Sequence, residues 1–272
     1  MENAVLRSKK LTDDTWVIYI GNTTAYLIAG DNEGMMIDSG DTPCALREYC
    51  EKLCGKPVRM VANTHGHFDH TGGNGYFEVA YMGKLAAEIA RTPNGKQDAS
   101  LFPVDDYEIV IVDEGFKIDL GNREIETFML DGHSPDSTAY LDKKMRLLFV
   151  GDNMGKAPLK YKCADPQPSV LRYAINVAKL MARREEYDWV LRGHEDFMHD
   201  AQLVNRDLVC ALRAAELDCD PEPPRPARPG GGPKMGSGNP EDNGYVEYKG
   251  THISFDKRYA TDLTRYNIVK GT

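Results

Sequence analysis

The chain has 272 residues, a formal net charge of −9, and 41% hydrophobic against 28% charged residues. That acidic balance excludes a nucleic-acid surface as the main feature, because phosphate recognition needs a basic stripe. No apolar run approaches a membrane span, and the length suits one large domain, alone or with an appendage, around a sizeable core.

Short β-rich runs at 15–20, 24–29 and 34–37, punctuated by Gly-Asn and Asp-Asn-Glu-Gly turns, predict strands. Thr42-Pro43 predicts a helix start, with the helix running to Leu53 and Gly55 just past its end. A strand at 58–62 then delivers the segment Thr64-His65-Gly66-His67-Phe68-Asp69-His70-Thr71-Gly72-Gly73. A helix at 83–91 and a loop or frayed helix at 92–102 follow. Strands are expected at 108–112, 116–120 and 124–130, and a hairpin joins 138–141 to 146–150. An amphipathic helix at 169–184 carries Val170, Ala174, Val177, Ala178 and Met181 on one stripe. A strand at 188–191 and a helix at 201–217 complete the body.

The tail differs in character. Residues 220–243 are rich in Pro and Gly and read as a linker or long extended loop. Beyond it, 245–248 and 251–255 flank Lys249-Gly250, a hairpin signal. A lone hairpin is marginal, so this piece is expected to dock on the core or on a second subunit, the latter giving a homodimer. The expected division is therefore 1–219 and 220–272.

Six cysteines without a C-x-x-C pair predict buried free thiols in a reducing compartment. Residues 1–7 lack the apolar h-region of a signal peptide. Both point to a cytoplasmic protein.

Three of the seven histidines fall within His65–His70, together with Asp69. Neutral imidazole is the commonest zinc ligand, and carboxylate oxygen its usual partner where water is activated. His65 and His67 are two apart, so an extended segment projects both to one side. Asp69 and His70 come after the chain must turn, so one pair can grip one ion while the next faces a neighbouring ion. His133, Asp152 and His194 each follow an apolar strand, and each is preceded by a glycine. Loops at strand ends are where sites are built, and a glycine there lets the backbone turn sharply.

His65-Gly66-His67-Phe68-Asp69-His70 resembles the H-x-H-x-D-H motif of the metallo-β-lactamase superfamily, and His133, Asp152 and His194 match its later loops in order. The resemblance covers about residues 15–200. It implies an α+β fold, the four-layer αββα sandwich of that superfamily, here with a C-terminal extension. It also implies two metal ions, zinc with iron or manganese as alternatives. One ion would take His65, His67 and His133, and the other Asp69, His70 and His194, with Asp152 bridging. Asp38 resembles the family's aspartate that supports the metal loops from behind.

Two divalent ions can hold a water between them and lower its pKa. The expected reaction is attack by a metal-bound hydroxide on an acyl or phosphoryl centre, with Asp69 orienting the nucleophile and shuttling its proton. Phe68 stands where oxygen-reducing diiron relatives carry an acidic ligand, which disfavours that branch. Asp152 supplies a bridging carboxylate that many true β-lactamases lack, which places that activity behind thioesterase and lactonase chemistry, and the acidic balance argues against RNA-processing members, so phosphodiesterase activity ranks behind as well. The segment after Asp152 does not reproduce the glutathione-binding stretch of glyoxalase II. The expected function is hydrolysis of a small-molecule ester, lactone or thioester. The alternative is a persulfide dioxygenase with one mononuclear iron. Lys156, Lys160 and Tyr161 are candidates for an anionic substrate tail, specificity being expected from 92–106, 156–168 and the tail. His199 and His252 have no motif support.

Overall fold

The computed structural model describes residues 6–21, 23–91, 102, 106–159, 169–223 and 240–261. Chain packing defines two units, one formed by Met1–Leu130, Asp136–Asp152 and Arg183–Ala201, the other by Asp131–Pro135, Asn153–Ala182 and Gln202–Thr272.

The first unit holds two sheets. One runs in sequence order through β1 (Arg7–Thr12), β2 (Thr15–Ile20), β3 (Thr23–Ala29), β4 (Gly34–Ile37), β5 (Val58–Ala62), β6 (Val79–Met82) and β7 (Glu108–Ile111). Pairing is antiparallel from β1 to β4 and parallel from β4 to β7. The other contains β8 (Lys117–Asp119), β9 (Glu124–Met129), β10 (Thr138–Asp142), β11 (Leu147–Gly151), β13 (Trp189–Arg192) and β14 (His199–Asp200), ordered β14-β13-β11-β10-β9-β8. There β11 and β13 are parallel.

Both faces of the first sheet are buried, which explains the nearly continuous apolar runs of β2 to β5. Val17, Tyr26, Ile28, Met35 and Ile37 meet Ile118, Ile125, Tyr140, Phe149 and Leu191 of the second sheet in one core. Trp16, Ile18, Leu27 and Met36 point the other way and pack with residues of α1 (Leu46–Cys54) and α3 (Lys84–Ala90). Each fully buried large side chain contributes about 1.5–3 kcal/mol. The sheets are also tied by a buried ion pair. The Arg123 guanidinium donates to Asp142 at 2.7 Å, to the carbonyls of Asp14 and Ala29, and to Thr15 Oγ1.

The second unit contains α4 (Val170–Ala182), α5 (Gln202–Ala215) and a sheet ordered β12-β17-β16-β15. Its strands are β12 (Lys156–Leu159), β15 (Asp220–Pro221), β16 (Asn243–Tyr248) and β17 (Thr251–Asp256). The hairpin read at Lys249-Gly250 is present, and both residues have positive φ, 49° and 78°. That is the turn that matches strand twist.

Several elements differ from the sequence reading. α1 begins at Leu46, not at Pro43, and no side chain caps it, while Gly55 closes it in the left-handed region as expected. The stretch at 156–159, read as a loop, is a strand because β17 pairs with it in parallel, a partner far outside any local window. β1 and β6 were not anticipated. Nearly all of the 92–106 loop, most of 156–168 and most of the tail linker lie outside the described residues. No described helix is long and apolar enough to cross a membrane. The described cysteines, Cys44, Cys50, Cys54, Cys210 and Cys219, are free.

Candidate metal centre

Four strand ends of the first unit supply the polar groups. β4 leads into Asp38, β5 into 63–70, β11 into Asp152 and β13 into His194. Because β4 and β5 are parallel, as are β11 and β13, these ends fall in pairs on the same side of their sheets. After His65 and His67 the chain turns into α2 (Phe68–Thr71), with His67 at its N-cap. This is the extended-then-turned path read from the spacing.

The distances bring the distant residues together. His194 Nε2 is 3.3 Å from Asp69 Oδ2 and 3.4 Å from Asp152 Oδ2. His70 Nε2 is 3.3 Å from Asp152 Oδ1 and 3.7 Å from Asp69 Oδ2. His65 Nε2 and His67 Nδ1 are 3.0 Å apart. Within this unit two three-residue groups have donor atoms close enough to hold an ion, His65 with His70 and Asp152, and Asp69 with His70 and His194. Asp152 and His194 thus join the histidine-rich turn.

Asp38 organises the imidazoles from behind. Its Oδ2 accepts from His70 Nδ1 at 2.7 Å and from Thr64 Oγ1 at 2.8 Å, while Oδ1 accepts from the Thr64 N–H. A carboxylate only accepts, so His70 Nδ1 carries a proton, and Nε2 is the nitrogen left to face a cation. Since the Thr64 hydroxyl proton goes to Asp38, Thr64 Oγ1 accepts from His65 Nδ1 at 3.1 Å. His65 Nε2 then faces His67 Nδ1 at 3.0 Å as an acceptor. Asp38 has φ 63° and His194 φ 61°. Left-handed backbone is costly for such residues and persists where the surroundings impose it.

The residues fit a cation. Among the described residues His70 Nε2 is buried and makes no hydrogen bond. The local field is negative. Burial opposes a charge on His70, yet the Asp38 and Asp152 carboxylates hold its pKa well above the usual histidine range. For Asp69, burial pushes the pKa up, but the His194 hydrogen bond and the His70 charge outweigh it and leave the carboxyl below its ordinary range. Imidazole nitrogens and carboxylate oxygens are the donors a zinc-type ion takes.

Other residues were not anticipated. The His70 carbonyl accepts from the Ser39 N–H at 2.9 Å and from Asn63 Nδ2 at 2.9 Å. Asn63 and Asn74 exchange amide hydrogen bonds, and Ser39 Oγ lies 2.7 Å from Asn74 Oδ1. All three side chains are buried. The glycines do two different jobs. Gly151 has φ 56° and needs the left-handed region, as the sequence reading proposed. Gly193 serves by lacking a side chain, because a Cβ there would sit 2.4 Å from Asp152 Oδ1.

The remaining candidates belong to the second unit or lie outside the described residues. His133 belongs to the second unit, where its N–H donates to Asn153 Oδ1 at 2.9 Å and Gly132 packs against Tyr173. Lys156 is exposed at the start of β12, while Lys160 and Tyr161 lie outside the described residues.

Comparison with known proteins agrees with this architecture. The profile of the metallo-beta-lactamase superfamily matches residues 18–194. The chain belongs to that superfamily and has its α+β sandwich fold. It is 28% identical over 158 residues to the acyl-coenzyme A thioesterase MBLAC2 of Homo sapiens, covering 47% of this chain and 56% of that one. It is 31% identical over 135 residues to the hydroxyacylglutathione hydrolase of Maricaulis maris, covering 46% and 48%. The matched segment thus spans about half the length of these two relatives. A metallo-beta-lactamase from Pontibacter korlensis shares the fold with a TM-score of 0.58 at 18% identity, covering 76% of this chain and 99% of that one.

Proposed function

We propose that this protein is a dinuclear metal hydrolase that cleaves a small-molecule thioester, ester or lactone in the cytoplasm. One ion would be held by His65, His67 and His133, the other by Asp69, His70 and His194, and Asp152 would serve both. The observation that carries this assignment is the position of Asp152. Its donor atoms belong with His65 and His70 and also lie 3.4 Å from His194 Nε2. Zinc suits the donor set best, with iron or manganese as alternatives.

Bound divalent cations supply Lewis acidity toward an acyl oxygen and toward water. The chain's own groups do the rest. Asp38 fixes the His70 ring directly and the His65 ring through Thr64, so the donors need no reorganisation when substrate arrives. Asp69 is partly exposed and ionised at neutral pH, so its carboxylate can accept the proton of the attacking water. It then returns that proton to the departing thiolate or alkoxide, giving an acid and a thiol or alcohol. The thioesterase and hydroxyacylglutathione hydrolase names of the relatives favour thioesters within this class.

A panel of acyl thioesters, aryl esters and lactones, run with the wild type and Asp69→Ala, tests this. Turnover of at least one class is expected, with kcat reduced about 100-fold or more in the variant. A variant within about twofold of wild type would remove Asp69 from proton transfer. One tightly held iron per chain, with no hydrolysis, would point to the dioxygenase class instead.

A further inference from the structure

His194 is the most exposed of the site's histidines, 38% by side chain, and has the strained φ of 61°. Nothing in its own contacts to Asp69 and Asp152 explains how the backbone is kept there. The residues around it do. The Glu195 carboxylate is held at both oxygens, by Arg192 Nη1 at 2.6 Å and by His199 Nε2 at 2.5 Å. Arg192 and His199 sit on paired strands, β13 and β14, so Glu195 closes the loop between them from inside. The backbone is pinned as well. Tyr26 OH donates to the Arg192 carbonyl at 2.5 Å, and Thr24 Oγ1 donates to the Glu195 carbonyl and accepts its N–H. Both peptide neighbours of the Gly193-His194 step are thus fixed to β3.

We propose that Glu195, with Arg192 and His199, is a positioning residue that holds His194 in its left-handed conformation and thereby sets the affinity of the cation that His194 binds. The proposal rests on the two-ion assignment above. It gives His199 a role for which the sequence offers no motif. Glu195 carries no part of the chemistry, because both its oxygens are engaged away from the donor cluster.

Stepwise Zn²⁺ affinity of the full chain, measured by chelator competition, tests it, with the Co²⁺ absorption spectrum of the same variants as a second readout. His194→Ala should weaken one of the two ions. Glu195→Ala should weaken the same ion by about tenfold and shift the Co²⁺ bands, with the other ion changed by less than about twofold. Glu195→Gln and His199→Gln, which keep the shape of the clamp, should lie between wild type and Glu195→Ala and serve where the alanine variant does not fold. The proposal is overturned if Glu195→Ala leaves both affinities within about twofold of wild type while His194→Ala does not. It is equally overturned if both ions are lost together, which marks a general structural defect. If His194→Ala itself changes neither affinity, the two-ion assignment fails first and the clamp with it.

Discussion

At the scale of single residues the centre depends on one carboxylate that touches no substrate. Asp38 holds two imidazoles, one directly and one through Thr64. Asp38→Asn keeps the volume but has one acceptor oxygen, so it cannot serve His70 Nδ1 and Thr64 Oγ1 on one side and the Thr64 N–H on the other, and cation affinity should fall by about 10–100-fold in chelator competition. An affinity within about twofold of wild type would mean the rings orient themselves. Gly193→Ala probes the opposite limit, steric room. Its methyl would press on Asp152 Oδ1 and on His70 Cε1, so metal content should drop while the circular dichroism spectrum stays native. The histidine cluster was legible because its members are consecutive, and Asp38 because it resembles a family position. Ser39, Asn63 and Asn74 were not legible. Their worth lies in the His70 carbonyl they jointly hold, and no spacing in sequence announces that convergence. The one available signal was small amide and hydroxyl residues placed just beyond buried strands.

Among the elements, β9 and β10 show how charge sets the tolerance of the fold to acid. Glu126 on β9 accepts from Arg183 at 2.8 and 3.0 Å and pairs with Lys143 at 2.7 Å. The Arg183 hydrogen bonds, working against partial burial, lower its pKa to about 2. A carboxylate depressed in the folded state stabilises it above the unfolded pKa near 4.5, and that contribution disappears as pH falls from there toward about 2. Glu126→Gln should therefore destabilise the fold at pH 7 by on the order of 1 kcal/mol after allowing for solvent around Arg183 and Lys143. The gap to wild type should narrow through pH 4 to 2.5 in calorimetry, and a constant gap would contradict it. Arg123→Ala is a harsher test, because it leaves Asp142 buried without its guanidinium. A loss of about 3–5 kcal/mol in chemical denaturation is expected. The strands of this layer were readable from their apolar runs, whereas β12 was not, because its identity comes from β17.

For the whole molecule, an ion that binds only the folded chain would add to its stability. Stripping metal with a chelator should lower Tm, and an ion present at about 100 times its Kd restores about 2.7 kcal/mol per site. The first unit could be read almost entirely from turns, alternation and one dense motif. The second was read only in its helices and terminal hairpin, since its sheet pairs Lys156 with His252, 96 residues further along the chain. The proposed division at 219–220 is a hypothesis about folding units that limited proteolysis of the purified chain would address. The most direct measurement is the metal content of wild type and Asp152→Ala beside their hydrolytic rates. Expected are about two divalent ions per wild-type chain and no more than about one in the variant. Hydrolysis should be lost with the ions and restored when metal is returned to the stripped wild type. Undiminished hydrolysis by wild type stripped below about a tenth of an equivalent of metal would contradict the central claim.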